Sequence, residues 1–322
     1  MNSIEPKRRT IVHGVSKWAA AVAAGVVLAF RVSAATTDTT HNTQHSGPGA
    51  QDSALSTQPS SKPVNLVKNG GFEEGDKCPT GWLIRWPRKD LSDMVDIRVL
   101  DGLTLFWDTT HSTSGKCIRM DTDVNQKEVH RRMWELIASP DAPPWPKTPT
   151  RGDKYDTAAG LEGVSFWSEP IPVRKGKMYR MSVDAMGQME GIFFPKMFVR
   201  GFGMMKNPKG EMEKRKLYDT YVSCRVAGQG RWCHFTQTFA PTDHTPAVTE
   251  VRVMLFSYWP PGLYYWDNVE ITEVPEAEAA AVRAAKAKDQ PPKPTPRPTP
   301  RVRKPGESFV VEEEEPMELP EK

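Results

Sequence analysis

Two acidic residues far apart in the chain have surroundings that suit a hard cation. Glu73 lies in Asn65–Trp86 (NLVKNGGFEEGDKCPTGWLIRW), behind Phe72 and ahead of Gly81-Trp82. Asp267 lies in Leu263–Ile271 (LYYWDNVEI). Strand alternation puts Tyr265, Asp267, Val269 and Ile271 on one face and Tyr264, Trp266, Asn268 and Glu270 on the other. A carboxylate turned inward among apolar neighbours needs compensation. A Ca²⁺ ion shared by Glu73 and Asp267 supplies it, with backbone carbonyls completing the roughly six to eight oxygens such an ion takes. The opening and closing strands are then neighbours tied by one ion. The alternative is an Asp267 hydrogen-bonded to backbone amides, with Glu73 at the surface.

A second constellation suits a sugar, whose C–H faces stack on aromatic rings while its hydroxyls need directional partners. In Val248–Trp259, Val251, Val253 and Leu255 share one face, which reads as core. Arg252, Met254, Phe256 and Tyr258 share the other. Lys196, Phe198, Arg200, Phe202 and Met204 form a similar row on another segment. Side by side, the rows make an aromatic and cationic platform. Trp107, Trp145 and Trp259 lie in or beside loops as rim candidates. The alternative is that a helix, or a second copy of the chain, covers these residues, since exposed apolar patches mark partners of any kind.

The chain has four cysteines, Cys78, Cys117, Cys224 and Cys233. In an exported chain an even number points to disulfides, with three connectivities open. A Gly-rich turn between Cys224 and Cys233 allows those two to meet, leaving Cys78 for Cys117. Free buried thiols are the alternative. No C-x-x-C pair supports a zinc site. Catalysis finds little support: no strand carries the paired carboxylates of a glycosidase, and no nucleophile elbow, metalloprotease helix or phosphate loop occurs. A lyase-like site assembled from Arg200, His234 and Tyr258 has nothing that singles those three out.

Short apolar runs alternating with turn residues must position these groups. Strands are expected at Trp82–Trp86, Val95–Leu100, Lys116–Asp121, Gly163–Val173, Lys177–Gly187, Phe193–Met205, Lys216–Val222, Trp232–Phe239, Val248–Trp259 and Leu263–Val274. Their number and spacing describe an all-β, two-sheet antiparallel sandwich over 64–274. An insertion occupies 122–161. There Asp123 and Gln126 resemble a capping box, and Val129, Met133, Leu136 and Ile137 form an apolar helical stripe on Val124–Ala138. A proline-stiffened loop follows from Asp141. The helix either lies near a functional loop or merely covers a sheet edge.

Five segments in order carry a resemblance: NGGFE with a following GW, SGKCIRM (Ser114–Met120), WSEPIPVRKGKMYRMSV (Trp167–Val183), RWCHFTQTF (Arg231–Phe239) and YWDNVEI. Asn65–Val274 resembles the jelly-roll, galactose-binding-like carbohydrate-binding modules attached to cellulases and xylanases. The resemblance implies a jelly-roll fold, glycan binding, and a cation that ties the two ends of the domain together. Asn268 departs from the D-D-V usual at that site. Fold alone does not assign function.

The flanks differ from this core. Met1–Ala34 has a basic start, an apolar run (Trp18–Phe30) and a small-residue V-S-A end, the form of an export signal. That run is shorter than the about 20 residues of a membrane span. Lys7-Arg8-Arg9 fits a secretory signal or a twin-arginine one, and an uncleaved anchor is a third form. Residues 35–63 are polar and read as a flexible linker. Residues 275–322 read as an Ala/Glu/Lys helix (Glu276–Lys288), then a disordered Pro-rich basic spacer and an acidic run. Net charge is +3, so bulk charge gives no sign of nucleic-acid binding. The expectation is a non-catalytic, exported module that binds a polysaccharide or glycan at the cell surface. Its rivals are a structural or interaction module docking on a cell-envelope protein, and a polysaccharide-degrading lyase or glycosidase.

Overall fold

Period-2 alternation is realised as two antiparallel sheets facing each other across one core. The computed structural model describes residues 63–87, 94–113 and 115–288. The expected export segment, nearly all of the linker and the tail beyond Lys288 lie outside the described residues. The elements in chain order are β1 (Trp82–Pro87), β2 (Met94–Ile97), β3 (Leu105–Asp108), β4 (Cys117–Asp121), α1 (Gln126–Ala138), α2 (Ala158–Leu161), β5 (Val164–Ser168), β6 (Ile171–Pro172), β7 (Tyr179–Phe193), β8 (Lys196–Lys206), β9 (Met212–Ser223), β10 (Val226–Gln229), β11 (Cys233–Phe239), β12 (Glu250–Ser257), β13 (Leu263–Glu273) and α3 (Glu276–Lys288). The first sheet runs β2-β1-β5-β12-β8-β9, with β6 also on β12; the second runs β10-β7-β13-β4-β3, with β11 also on β7. The fold is a two-sheet jelly-roll sandwich. Among the described residues no helix is long and apolar enough to cross a membrane.

The inner faces supply the core. Trp82, Phe166, Val199, Val253 and Leu255 come from the first sheet, and Ile118, Met181, Val183, Trp266 and Ile271 from the second. Trp82 stacks on Phe166 with centroids 5.3 Å apart, and Phe72 closes on Trp82 at 4.9 Å. The Trp266 indole N–H donates to Ser257 at 3.2 Å, so this buried polar group is satisfied.

The opening stretch does lie along the closing strand, but as successive turns rather than a strand. Asn65 does the pairing: its amide donates to the Val269 carbonyl and its oxygen accepts from the Ile271 N–H, both at 3.0 Å. Val269 N–H donates to the Gly70 carbonyl at 2.9 Å. A Cβ on Gly70 would stand 1.9 Å from the Val269 oxygen, so only glycine permits this approach.

β13 corrects the expected alternation. Its register with β7 shifts between Asp267 and Glu270, and Asn268 has φ of +48°, a conformation asparagine tolerates better than most residues. The bulge inserts an extra residue. Tyr264 and Trp266 therefore face the core before it and Val269 and Ile271 after it, while Tyr265 packs on the outer face with Cys117 and Met186.

The insertion helix forms, with a different cap. Asn125, not Asp123, accepts from the Lys127 N–H at 3.0 Å. Its buried stripe is Val129, Arg132 and Leu136, an arginine among apolar residues that the stripe did not include. α3 also packs on the sandwich: Ala279 is buried against Met178 and Val274, and Arg283 donates to the Gly176 carbonyl at 2.9 Å.

All four cysteines are free, which corrects both proposed pairings. Cys78 belongs to the inter-sheet core while Cys117 belongs to the outer face of the second sheet. Cys224 is buried at the end of β9, and Cys233 is half-buried on β11. Burial pushes the Cys78 and Cys224 thiols up to about 12 and raises that of Cys117 further. Thiol titration of unreduced protein should find four thiols in denaturant and fast reaction of Cys233 alone in the native state. Absence of titratable thiols in denaturant would restore the disulfides.

Candidate functional site

The outer face of the first sheet carries the platform. Strand register sets Arg252 opposite Arg200, Met254 opposite Phe198, and Phe256 opposite Lys196. The two rows are adjacent. On the far side of β12, Trp167 lies opposite Met254, and Leu83 opposite Trp167. On the near side Tyr221 lies opposite Phe198. Leu83, Trp167 and Met254 form a small buried cluster with Phe198, Phe202 and Phe256 packed on it. This cluster is separate from the inter-sheet core.

The rings form a connected strip across the strands. Centroids are 5.4 Å apart for Tyr258 and Phe256, 6.0 Å for Phe256 and Phe198, and 5.2 Å for Phe198 and Tyr221. Lys196 stands over both Tyr221 and Tyr258, at 4.9 and 5.7 Å. Arg85 and Arg200 approach the Trp167 ring at 5.0 and 5.2 Å, within reach of a cation–π interaction.

The insertion flanks this face without sealing it. A cleft of about 370 Å³ lies between the floor (Arg85, Trp167, Phe198, Arg200, Met254, Phe256) and a wall of Val129, His130 and Met133 from α1, with Leu161 at the end of α2 and Glu162 and Gly163 after it. That volume falls within the range of small-ligand sites. A floor of strand residues holds its rings in fixed positions, which favours preorganised binding.

Charge on this outer face, on and around the floor, is not evenly matched. Arg85 pairs with Asp96 at 2.9 Å, and Arg252 approaches the same carboxylate at only 3.8 Å. Lys216 contacts Asp219 at 2.8 Å, and Arg200 approaches it at 3.7 Å. Burial lowers the pKa of Arg200, and Asp219 opposes that shift. The Arg252 side chain is only 14% exposed, less open than a solvent-facing row implies.

The remaining site candidates lie elsewhere. Trp107 is on β3 of the other sheet and lines a separate pocket of about 550 Å³ with Leu100, Phe106 and the Asp141–Pro144 segment. Lys116 stands over its ring at 4.4 Å. Trp145 packs under Arg131 at 4.5 Å. Trp259 follows Tyr258 and stacks on Tyr155 of the insertion at 5.1 Å. His234 is on β11, in the sheet opposite Arg200, and contacts Asp184 at 2.7 Å. Arg200, His234 and Tyr258 therefore do not converge. Alternation in Val164–Ser168 and Trp82–Trp86 could have found Trp167 and Arg85, whose alternate neighbours Phe166 and Ile84 are core.

At the proposed cation site Asp267 is buried and already hydrogen-bonded. Its Oδ2 accepts from the Thr113 N–H at 3.1 Å and hydroxyl at 2.5 Å, and Oδ1 accepts from the Asn268 N–H at 2.7 Å. Glu73 Oε1 accepts from the Lys116 N–H at 2.9 Å. Burial raises the Asp267 pKa, these hydrogen bonds oppose the rise, and the nearby Glu73 charge adds to it. Asn268 bridges Thr113 and Asp184 at 2.9 and 2.8 Å. Among the described residues no three His, Cys, Asp or Glu converge as a metal cluster.

No family model matches the chain, and no curated protein matches it. Solved structures do. The chain is similar to carbohydrate-binding modules. A family 16 carbohydrate-binding module has a TM-score of 0.35 at 10% identity, over 65% of this chain and 99% of that one. The CBM22-1 xylan-binding domain from Paenibacillus barcinonensis Xyn10C has a TM-score of 0.35 at 12% identity, over 66% of this chain and 96% of that one. TmCBM61, solved in complex with beta-1,4-galactotriose, has a TM-score of 0.33 at 12% identity, over 66% of this chain and 99% of that one.

Proposed function

We propose that this chain is a non-catalytic module that binds a polysaccharide or glycan in the cleft of the first sheet. The observation that carries the reading is the ring strip from Tyr258 through Phe256 and Phe198 to Tyr221 beside an open cleft. Sugar faces stack on such rings. The polar and charged groups around Trp167 supply directional partners for hydroxyls. The inward faces already hold the core, so the strip is free to serve a ligand.

A glycan array followed by calorimetric titration of the full chain tests the reading. Phe198→Ala should weaken binding by about 1–2 kcal/mol, the scale of an anchor at a binding surface. Tyr258→Ala lies past the end of β12 and should cost less than about 1 kcal/mol of stability. Binding of no glycan, by protein whose melting shows it folded, would leave a module that docks on a cell-envelope protein. Release of reducing ends or unsaturated products would make it an enzyme.

Two further parts of the proposal concern the chain's setting. Export to the periplasm or cell surface rests on the Met1–Ala34 pattern, and fractionation of cells with and without that segment tests it. A structural Ca²⁺ between Glu73 and Asp267 rests on their mutual repulsion with no ion-pair partner for either among the described residues. The residues fit in kind, as hard oxygen donors. Backbone and water oxygens must complete the set.

A further inference from the structure

We infer that the cleft is built for an anionic carbohydrate, one whose carboxylates or sulfates meet Arg200 on its floor beside the Trp167 ring, with Arg252, the cross-strand neighbour of Arg200, just outside the lining. This rests on the glycan-binding reading and names its ligand class. The floor itself carries Arg85 and Arg200, and the outer face of the sheet around it adds Arg252 and Lys216. Arg85, Arg200, Arg252 and Lys216 share two carboxylates, Asp96 and Asp219, and in each case one cation holds the carboxylate at 2.8–2.9 Å while the arginine stays 3.7–3.8 Å away. Glu162 on the opposite wall offsets part of this excess.

Hydrogen bonding points the same way. Arg200 Nε and Arg252 Nη1 are buried with no hydrogen-bond acceptor among the described residues. A buried cationic N–H left without an acceptor costs free energy, and native structures seldom keep one without cause. Stacking on Trp167 leaves the edge of the Arg200 guanidinium for in-plane acceptors. A neutral hydroxyl can accept there. A carboxylate or sulfate forms a shorter, charge-assisted bond roughly twice as strong, and can take both N–H groups of a guanidinium edge. Ring and anion lie side by side in a uronic acid, as Trp167 and the arginines do on the floor.

The test is calorimetric titration of the full chain with oligogalacturonate, oligomannuronate and a sulfated galactan oligosaccharide, each beside its carboxyl-reduced or desulfated counterpart. The acidic member of at least one pair should bind roughly tenfold tighter than its neutral member. Added salt should narrow the ratio. Arg200→Gln should bring it close to one. Arg252→Lys, which keeps charge and fold but loses the planar fork, should also reduce it. Which pair shows the preference tells carboxylate from sulfate. The basic tail is a competing source of polyanion attraction, so the ratio must survive Arg297→Gln, Arg301→Gln and Arg303→Gln together. A ratio abolished by the tail variant overturns the inference. Equal binding of both members of every pair also overturns it while leaving the carbohydrate reading standing. Binding by no member of any pair, with the protein folded, overturns the inference, and the carbohydrate reading falls with it only if the glycan array is also blank.

Discussion

Replacing Arg132 with alanine is expected to destabilise the protein by about 3–4 kcal/mol, because its guanidinium ties three segments from inside the fold. Arg132 is 1% exposed. Its Nε donates to the Asp101 carbonyl at 3.1 Å, its Nη2 donates to the Pro143 carbonyl at 2.7 Å, and Nη1 pairs with Glu135 at 3.0 Å. Asp101 is itself a knot. Its carboxylate accepts from the N–H groups of Leu103, Thr104 and Leu105 at 2.7–2.9 Å and from the Thr104 hydroxyl. Its carbonyl also accepts from the Trp145 N–H at 3.0 Å. Removing Arg132 leaves the Pro143 carbonyl without its partner and a void where the side chain lay. Lysine should recover less than half of the loss, since an ammonium cannot serve diverging acceptors as a planar fork does. Urea unfolding measures the effect, and a loss under about 1 kcal/mol would show that the insertion is held mainly by Val129 and Leu136. Because α1 forms one wall of the cleft, glycan affinity should fall in the same variant.

Sequence periodicity exposed the sandwich because most strands have one buried face. Val251, Val253 and Leu255 against Arg252, Met254 and Phe256 is the clearest case, and register confirms that the second row lies beside Phe198 and Arg200. It failed where backbone geometry departs from two residues per repeat. The bulge at Asn268 exchanges the faces of β13 midway, which no count of alternating residues can reveal. It also missed two short strands, β3 and β10, of four residues each, whereas the equally short β2 overlapped the longer expected run Val95–Leu100. Arg132 was missed because a polar residue on an apolar stripe reads as surface unless its partners are known, and Asp101 and Pro143 are distant or backbone acceptors. Trp167 and Arg85 were legible in principle. They sit on β5 and β1, whose outward rows carry too few aromatic or charged residues to stand out beside those of β8 and β12. The cleft needed the insertion wall, and the position of a helix over a sheet is set by packing that a single sequence does not display.

The sign of the pH dependence at Asp267 should report whether a cation is bound there. Without one, burial and the Glu73 charge raise the folded-state pKa of Asp267 above its unfolded value. Below the unfolded value both states are protonated and nothing is lost. As pH rises from there through the raised folded value, ionising a buried carboxylate beside another costs stability, and the cost is complete only above that folded value. With Ca²⁺ bound the order reverses. The ion requires the charged form, so its stabilisation is full at neutral pH and disappears as pH falls. Denaturation in chelator and in excess Ca²⁺, each as a difference between wild type and Asp267→Asn, isolates this group from Asp184 and His234, which reach it through Asn268. At a Ca²⁺ concentration near a hundred times the dissociation constant, wild type should gain about 2.7 kcal/mol at neutral pH, and Asp267→Asn should gain almost none. In chelator the wild-type difference should instead worsen from acid to neutral pH. If wild type shows that same worsening in excess Ca²⁺, no ion binds, and Thr113 and Asn268 alone hold the Asp267 carboxylate.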